Sequence, residues 1–210
     1  MESLKVKLKN LFKDIDSVQI RGGKDVEITG ISANSKSVGP GFLFIVKRGK
    51  AFDGAKFIPD VVQAGATAIL TDTYDPFLTE VYQVIHPNPA AIEYEIAKRF
   101  YHDPAKDLEM IGVTGTSGKT TTSFLIKYLL EKHHEVCGLV GTVLWMTGKK
   151  VFPATHTTPD AITLTRLFSE MVAQGVTTNI MEVTSHALQQ NRVQGIDFQI
   201  GVFTNLTQDH

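Results

Sequence analysis

The chain has a single cysteine, Cys137, in 210 residues. An internal disulfide and a multi-cysteine metal site are both excluded, and the apolar flanks Val136, Leu139 and Val140 mark this thiol as a small buried residue in a strand. Charge of one sign is equally scarce: 21 Lys and Arg against 22 Asp and Glu leave a net charge of −1. Such a balance gives no electrostatic reason to expect nucleic acid or an anionic membrane as a partner. Nowhere do about 18 apolar residues run together, so no membrane insertion is expected. The start, from Met1 to Asn10, alternates apolar and basic residues where a secretion signal would be continuously apolar, and a cytoplasmic chain is expected. No internal repeat or low-complexity tract is found. What remains, 42% apolar and 20% charged residues, is ordinary globular composition with material for one or two cores.

Turn chemistry clusters at His102, Asp103, Pro104, Ala105, Lys106 and Asp107, just after a helical pattern (Ile92, Ile96, Ala97, Phe100) opened by Asn88 as cap and Pro89 as first helical residue. We therefore expect an α/β chain of two domains. Residues 1–105 form a small mixed α/β N-terminal domain, with strands at Val26 to Thr29, Phe42 to Val46 and Ala68 to Leu70 and a helix around Pro59 to Ala64. Residues 106–210 alternate strands and helices as a parallel sheet requires. Strands are expected at Leu108 to Val113, Glu135 to Val140, Thr178 to Val183 and Phe198 to Phe203. A helix capped by Asp160 carries Ala161, Leu164, Phe168 and Met171 at helical spacing and ends at Gly175.

The most informative segment is Thr114, Gly115, Thr116, Ser117, Gly118, Lys119, Thr120 and Thr121. It follows the apolar run Met110 to Val113 and opens the helical pattern Phe124, Leu125, Tyr128 and Leu129. Between a strand and a helix, these residue types describe a phosphate-binding loop. The glycines allow backbone N–H groups to face a polyphosphate, and the helix N-terminus adds a fixed positive field. Lys119 reaches the β/γ-phosphates as a point charge, and the Thr120 hydroxyl suits a magnesium ion. Thr121 or Thr122 can cap the helix or touch the α-phosphate. The strict pattern G-x-x-x-x-G-K-[ST] is not met, because Val113 stands where its first glycine belongs, and this points to a subclass of nucleotide loops. The plainer alternative is a Gly/Thr turn with a solvated lysine.

Ligands of open parallel sheets gather beyond the carboxyl ends of the strands, and three polar clusters are expected there. Glu182, Val183, Thr184, Ser185 and His186 deliver a carboxylate able to bind magnesium or polarise its water. The run Thr204 to His210 adds amide, carboxylate and imidazole. Thr155, His156, Thr157, Thr158, Pro159 and Asp160 make a hydroxyl-rich loop suited to an anionic or sugar-like substrate. Taken singly, each also reads as turn or cap chemistry.

The loop Thr114 to Thr121, His156 to Asp160, Glu182 to Leu188 with Gln190 and Arg192, and Asn205 to His210 together resemble the successive signatures of the Mur ligases. Within that family they are most similar to the branch that adds the third amino acid to UDP-N-acetylmuramoyl-L-alanyl-D-glutamate in peptidoglycan synthesis. In the first domain, Asn34 to Lys36, Pro40 to Phe44, Gly49, Asp53, Gly54 and Ala64 to Ala66 resemble that family's uridine-nucleotide-binding domain. The resemblance implies that Ser35 contacts the UDP-sugar, and that His156, Thr157, Thr158, Thr184, Gln190 and Arg192 hold its muramoyl-peptide part. It implies that Gly115 to Thr121 cradle ATP with Lys119 on the γ-phosphate, that Thr120 and Glu182 serve one Mg2+, and that His210 serves a second. Asn34, Ser35 and Lys36 stand where the family usually has Asp-Ser-Arg, and a lysine cannot reproduce the forked contacts of an arginine.

The implied reaction is attack of a substrate carboxylate on the γ-phosphate of ATP, followed by displacement of phosphate from the acyl phosphate by the amine of an amino acid, meso-diaminopimelate or L-lysine. Because the sequence stops inside the last motif, at Asp209 and His210, a ligase fragment that does not turn over alone is expected. Such a fragment would expose an apolar sheet edge. Two other readings remain open at this stage: a ligase resembling folylpolyglutamate synthetase, and a non-catalytic nucleotide or UDP-sugar-binding module.

Overall fold

The structure, a computed structural model, describes residues 4–49 and 52–207. Contacts divide the chain into two compact units, Met1–His102 and Asp103–His210. The first unit opens with β1 (Val6–Lys7), α1 (Leu8–Leu11), β2 (Gln19–Arg21), β3 (Glu27–Ile28), β4 (Gly30–Ser32) and β5 (Phe42–Ile45). It continues through β6 (Arg48–Gly49), β7 (Phe52–Asp53), α2 (Ile58–Gln63), β8 (Ala68–Thr71), β9 (Tyr82–Ile85) and α3 (Pro89–Phe100). Its main sheet has the order β2-β9-β8-β5-β4. The four strands from β9 to β4 are parallel, and β2 closes the edge antiparallel.

Residues 68–71 are buried throughout, as are Leu43, Phe44 and Ile45, which explains why these strands read as continuous apolar runs rather than alternations. Phe44, Val46, Val61, Ala66 and Ile69 form a core between this sheet and α2. The opening of α3 is as the sequence implies. Asn88 accepts from the Ala91 N–H and Pro89 occupies the first turn, while Ile96, Ala97 and Phe100 are buried. The edge strands β2 and β4, and β9 beside β2, were not anticipated.

The second unit contains β10 (Glu109–Thr114), α4 (Lys119–Lys132), β11 (Cys137–Val140), β12 (Leu144–Met146), β13 (Val151–Pro153), α5 (Ala161–Ala173), β14 (Thr178–Glu182), α6 (Ser185–Gln189) and β15 (Ile200–Phe203). The sheet order is β13-β12-β11-β14-β10-β15. Strands β11, β14, β10 and β15 are parallel. The hairpin β12–β13 extends the sheet antiparallel, with Trp145 opposite Phe152, and was not expected. Asp160 caps α5 by accepting from both the N–H and the hydroxyl of Thr163, at 3.0 and 2.8 Å. Gly175 follows at φ +74, a left-handed conformation that releases the chain from the helix.

The apolar pattern that marks α4 forms a helix as expected, but it is not the buried face. Phe124, Leu125, Tyr128 and Leu129 do not face the sheet: they are 37%, 55%, 56% and 52% exposed. Ser123 and Lys127 are buried instead, and Ile126 and Leu130 pack on Ile111, Val113, Cys137, Leu139 and Ile180. Both sets satisfy a helical period; the loop before the helix fixes its rotation. Thr121 and Thr122 do not cap it either. Gly118, in the left-handed region at φ +81, is the cap residue, with no side-chain hydrogen bond. At the edge strand, Ile200 and Phe203 are 52% and 63% exposed. Among the described residues no helix is long and apolar enough to cross a membrane.

Candidate functional site

Four parallel strands of the second unit end on the same side, and each end delivers polar chemistry, the arrangement in which open sheets bind ligands. From β10 emerges the loop Gly115 to Gly118. Gly115 has φ +132, and a side chain there would lie 2.2 Å from the Thr204 hydroxyl and 2.9 Å from the Asn205 carbonyl. Only glycine fits both the torsion and the approach.

The loop is held from the end of β15. The Thr116 N–H donates to the Asn205 carbonyl at 3.1 Å and the Ser117 N–H to Asn205 Oδ1 at 3.0 Å. Thr204 Oγ1 donates to the Ser117 carbonyl at 2.7 Å. The N–H groups of Thr116 and Ser117 are thus engaged within the protein. Donors for an anion lie further on, where the α4 ladder begins with the Thr122 N–H bonded to the Gly118 carbonyl at 2.9 Å. The N–H groups of Gly118, Lys119, Thr120 and Thr121 precede that ladder, at the positive end of a 14-residue helix. Lys119 Nζ folds back to the carbonyls of Gly115 and Thr116, at 2.7 and 3.0 Å, and from there it can swing to a phosphate.

From β14 comes Glu182, whose side chain is almost fully buried, at 1% exposure. Its Oε1 accepts from the Thr142 N–H at 3.0 Å. Its Oε2 accepts from two hydroxyls, Thr120 at 2.9 Å and Thr142 at 3.0 Å. Gly141 lies against it, with room for no side chain: a Cβ would sit 2.3 Å from Oε1. A buried carboxylate whose partners are hydroxyls and an amide, with no cation beside it among the described residues, has its desolvation only partly offset, and an added positive charge stabilises it. A carboxylate has roughly four acceptor positions; three are filled here. The Thr120 oxygen keeps its own lone pairs while its proton stays on Glu182. Hard oxygen donors of this kind suit magnesium, which is held by one or two protein groups plus phosphates and waters.

The loop 155–160 hangs on the same strand end. Thr158 Oγ1 donates to the Glu182 carbonyl at 2.8 Å and accepts from the Thr184 N–H at 3.2 Å. Arg192 Nη1 reaches the Thr158 carbonyl at 2.6 Å, and its Nε and Nη2 hold Gln190 Oε1 at 3.0 and 2.7 Å. Thr157 Oγ1 lies 3.1 Å from the Thr142 hydroxyl, and Thr184 accepts from the Ala187 N–H at 3.1 Å as the cap of α6. His156 is exposed, with Nδ1 near Thr155 Oγ1 at 3.3 Å.

Of the residues expected at a site, Thr120, Glu182, Thr157, Thr158, Thr184, Gln190 and Arg192 are thus joined by short contacts, while Lys119 is turned to the carbonyls of its own loop. One expectation changes: Thr158 is 1% exposed with its hydroxyl engaged twice, so in this conformation it seats the loop and offers a ligand nothing. Ser35 lies in the first unit, half-buried, beside Asn34, whose Oδ1 accepts the Lys36 N–H at 3.0 Å; an amide oxygen serves that turn as a carboxylate would. His210 lies outside the described residues. Gly141 and Thr142 were given no role from sequence; Asn205 was expected among the polar residues past a strand end, but not as the anchor of the glycine-rich loop. For Gly141 and Thr142 the signal was available, since they directly follow the carboxyl end of β11.

Comparison with known proteins identifies the family. The family model described as Mur ligase family, catalytic domain, matches residues 27–107, and the model described as Mur ligase middle domain matches residues 113–210. UDP-N-acetylmuramoyl-L-alanyl-D-glutamate–2,6-diaminopimelate ligases from Caldanaerobacter subterraneus subsp. tengcongensis and Bacteroides fragilis are each 40% identical, over 205 and 207 residues. In both cases 98% of this chain is matched, but only 42% of the relative. A solved structure of a ligase with that same name aligns with a TM-score of 0.76 at 26% identity, over 98% of this chain and 41% of the other. The chain therefore spans about two-fifths of the length of the relatives it matches, and within that span it belongs to the Mur ligase family.

Proposed function

We propose that this chain carries the nucleotide and UDP-sugar sites of a cytoplasmic ATP-dependent ligase of peptidoglycan synthesis. The ligase joins the third amino acid to UDP-N-acetylmuramoyl-L-alanyl-D-glutamate through an acyl phosphate. The observation that carries this reading is the buried Glu182 carboxylate, bonded to Thr120 of the phosphate loop on one side and to Thr142, next to Thr157 of the hydroxyl-rich loop, on the other. The names of the relatives, which specify 2,6-diaminopimelate, favour diaminopimelate, expected as the meso form, over L-lysine as the amino acid.

The chemistry joins two anions, a substrate carboxylate and the γ-phosphate, so positioning and charge neutralisation carry it. The first-turn N–H groups of α4 and Lys119 hold the phosphates, with Lys119 leaving the loop carbonyls for the γ-phosphate. Thr120 and Glu182 would hold Mg2+, which when bound neutralises the charge that develops on the phosphates. Thr157, His156, Thr184, Gln190 and Arg192 orient the muramoyl peptide, with Thr158 seating their loop, and Ser35 contacts the UDP-sugar. His210, which lies outside the described residues, would bind or orient a second Mg2+.

Calorimetric titration with UDP-N-acetylmuramoyl-L-alanyl-D-glutamate tests the substrate assignment. The folded chain is expected to bind it. Ser35→Ala and Arg192→Ala are each expected to weaken binding by roughly tenfold, the worth of one good polar contact. A folded chain that shows no affinity for the UDP-sugar contradicts the assignment.

A further inference from the structure

The partners of Glu182 divide unevenly. Thr120 supplies one hydroxyl from the phosphate loop, whereas Thr142 alone engages both carboxylate oxygens, its N–H on Oε1 and its hydroxyl on Oε2, each at 3.0 Å. A terminal carboxylate torsion is soft, and two donors from one residue fix it. The approach is enforced from behind by Gly141, which leaves no space for a side chain. The Thr142 hydroxyl has one proton, and that proton is committed to the carboxylate. The contact with Thr157 at 3.1 Å is therefore donated by Thr157, so a residue of the hydroxyl-rich loop terminates on the oxygen that holds Glu182.

From this geometry we infer that Thr142 is a positioning residue for the metal-binding carboxylate: it holds Glu182 in the orientation a divalent cation needs and links that orientation to the 155–160 loop. The inference rests on the nucleotide and metal reading above and extends it to a residue that has no role in that reading. Thr142 acts through Glu182. Its removal should leave the loop and the α4 N-terminus intact, and with them metal-free nucleotide affinity, while lowering the contribution of the cation.

The test is ATP binding to the whole chain, by calorimetry, in excess Mg2+ and again in EDTA, for the wild type, Thr142→Val and Thr142→Ser. Valine keeps the branched shape and the N–H but removes the hydroxyl; serine restores it. The Mg2+-dependent gain in affinity is expected to fall about tenfold in Thr142→Val, the worth of one hydrogen bond to a charged group. Affinity in EDTA should stay within about twofold of wild type, and Thr142→Ser should recover the gain. Should the valine variant not fold, Thr142→Ala removes the same hydroxyl with less bulk and is read in the same way. A wild-type Mg2+ gain in Thr142→Val overturns the inference, and so does an equal loss with and without metal, which is the signature of a merely structural role. A wild-type chain that binds no ATP overturns the nucleotide reading and this inference with it.

Discussion

Two buried side chains illustrate how burial shapes behaviour at the scale of single residues. The Cys137 thiol is 3% exposed, and burial, reinforced by the nearby Glu131 charge, pushes its pKa up to about 11 from an ordinary 9.0. It should therefore resist alkylation in the native chain at pH 8 and react on unfolding; rapid native-state labelling would contradict the burial. The same shift has a stability consequence. The raised folded-state value means that this contribution is fully present below the ordinary thiol pKa of 9.0 and is lost as pH rises towards about 11. Urea midpoints of the wild type should accordingly fall more than those of Cys137→Ala between pH 8 and 10.5. Ser123 buries a hydroxyl for which the described residues supply no partner. Replacing it with alanine should raise stability by about 0.5–1 kcal/mol, through better helix propensity and removal of an unpaired polar group. A lower denaturation midpoint would show that the hydroxyl has a partner.

At the scale of elements, the ends of strands matter more than their middles. The end of β11 leaves Gly141 against Glu182, and its torsion lies outside the left-handed region, so Gly141→Ala tests crowding alone. We expect the added methyl to push the carboxylate away and to reduce Mg2+-dependent ATP affinity at least tenfold, an effect that calorimetry with and without metal resolves. Element identity was largely legible in sequence: β5, β8, β10, β11, β14 and β15 announced themselves as apolar runs, α3 and α5 by Asn88 and Asp160 as caps, whereas the parallel strands β4 and β9 did not. The face of α4 was not, because 124, 125, 128 and 129 compete with 123, 126, 127 and 130 for the same period, and one of the inward positions is Lys127, whose stem is buried. The hairpin β12–β13 and the edge strand β2 are three-residue strands, too short for an alternation to register. Thr142 stayed hidden for a different reason. Its position past the end of β11 was readable, but a lone Gly-Thr pair has no motif of its own, and its partner Glu182 is identified only when β11 and β14 are placed side by side.

For the whole molecule, two compact units each carry a mainly parallel sheet, and the second gathers a glycine-containing loop, a buried carboxylate and a hydroxyl-rich loop at the carboxyl ends of its strands. Local sequence identified the three parts separately; their connection through Glu182 required the fold. The central claim is that the loop and this carboxylate form one site for a nucleotide with its magnesium. The measurement that tests it most directly is calorimetric binding of Mg2+·ATP to the wild type, Lys119→Ala and Glu182→Gln, repeated in EDTA. The account predicts that the wild type binds and is helped by Mg2+, that Lys119→Ala loses affinity under both conditions, and that Glu182→Gln loses mainly the Mg2+-dependent part. Binding that is indifferent to Lys119, or a Glu182→Gln variant with an undiminished response to magnesium, would contradict it.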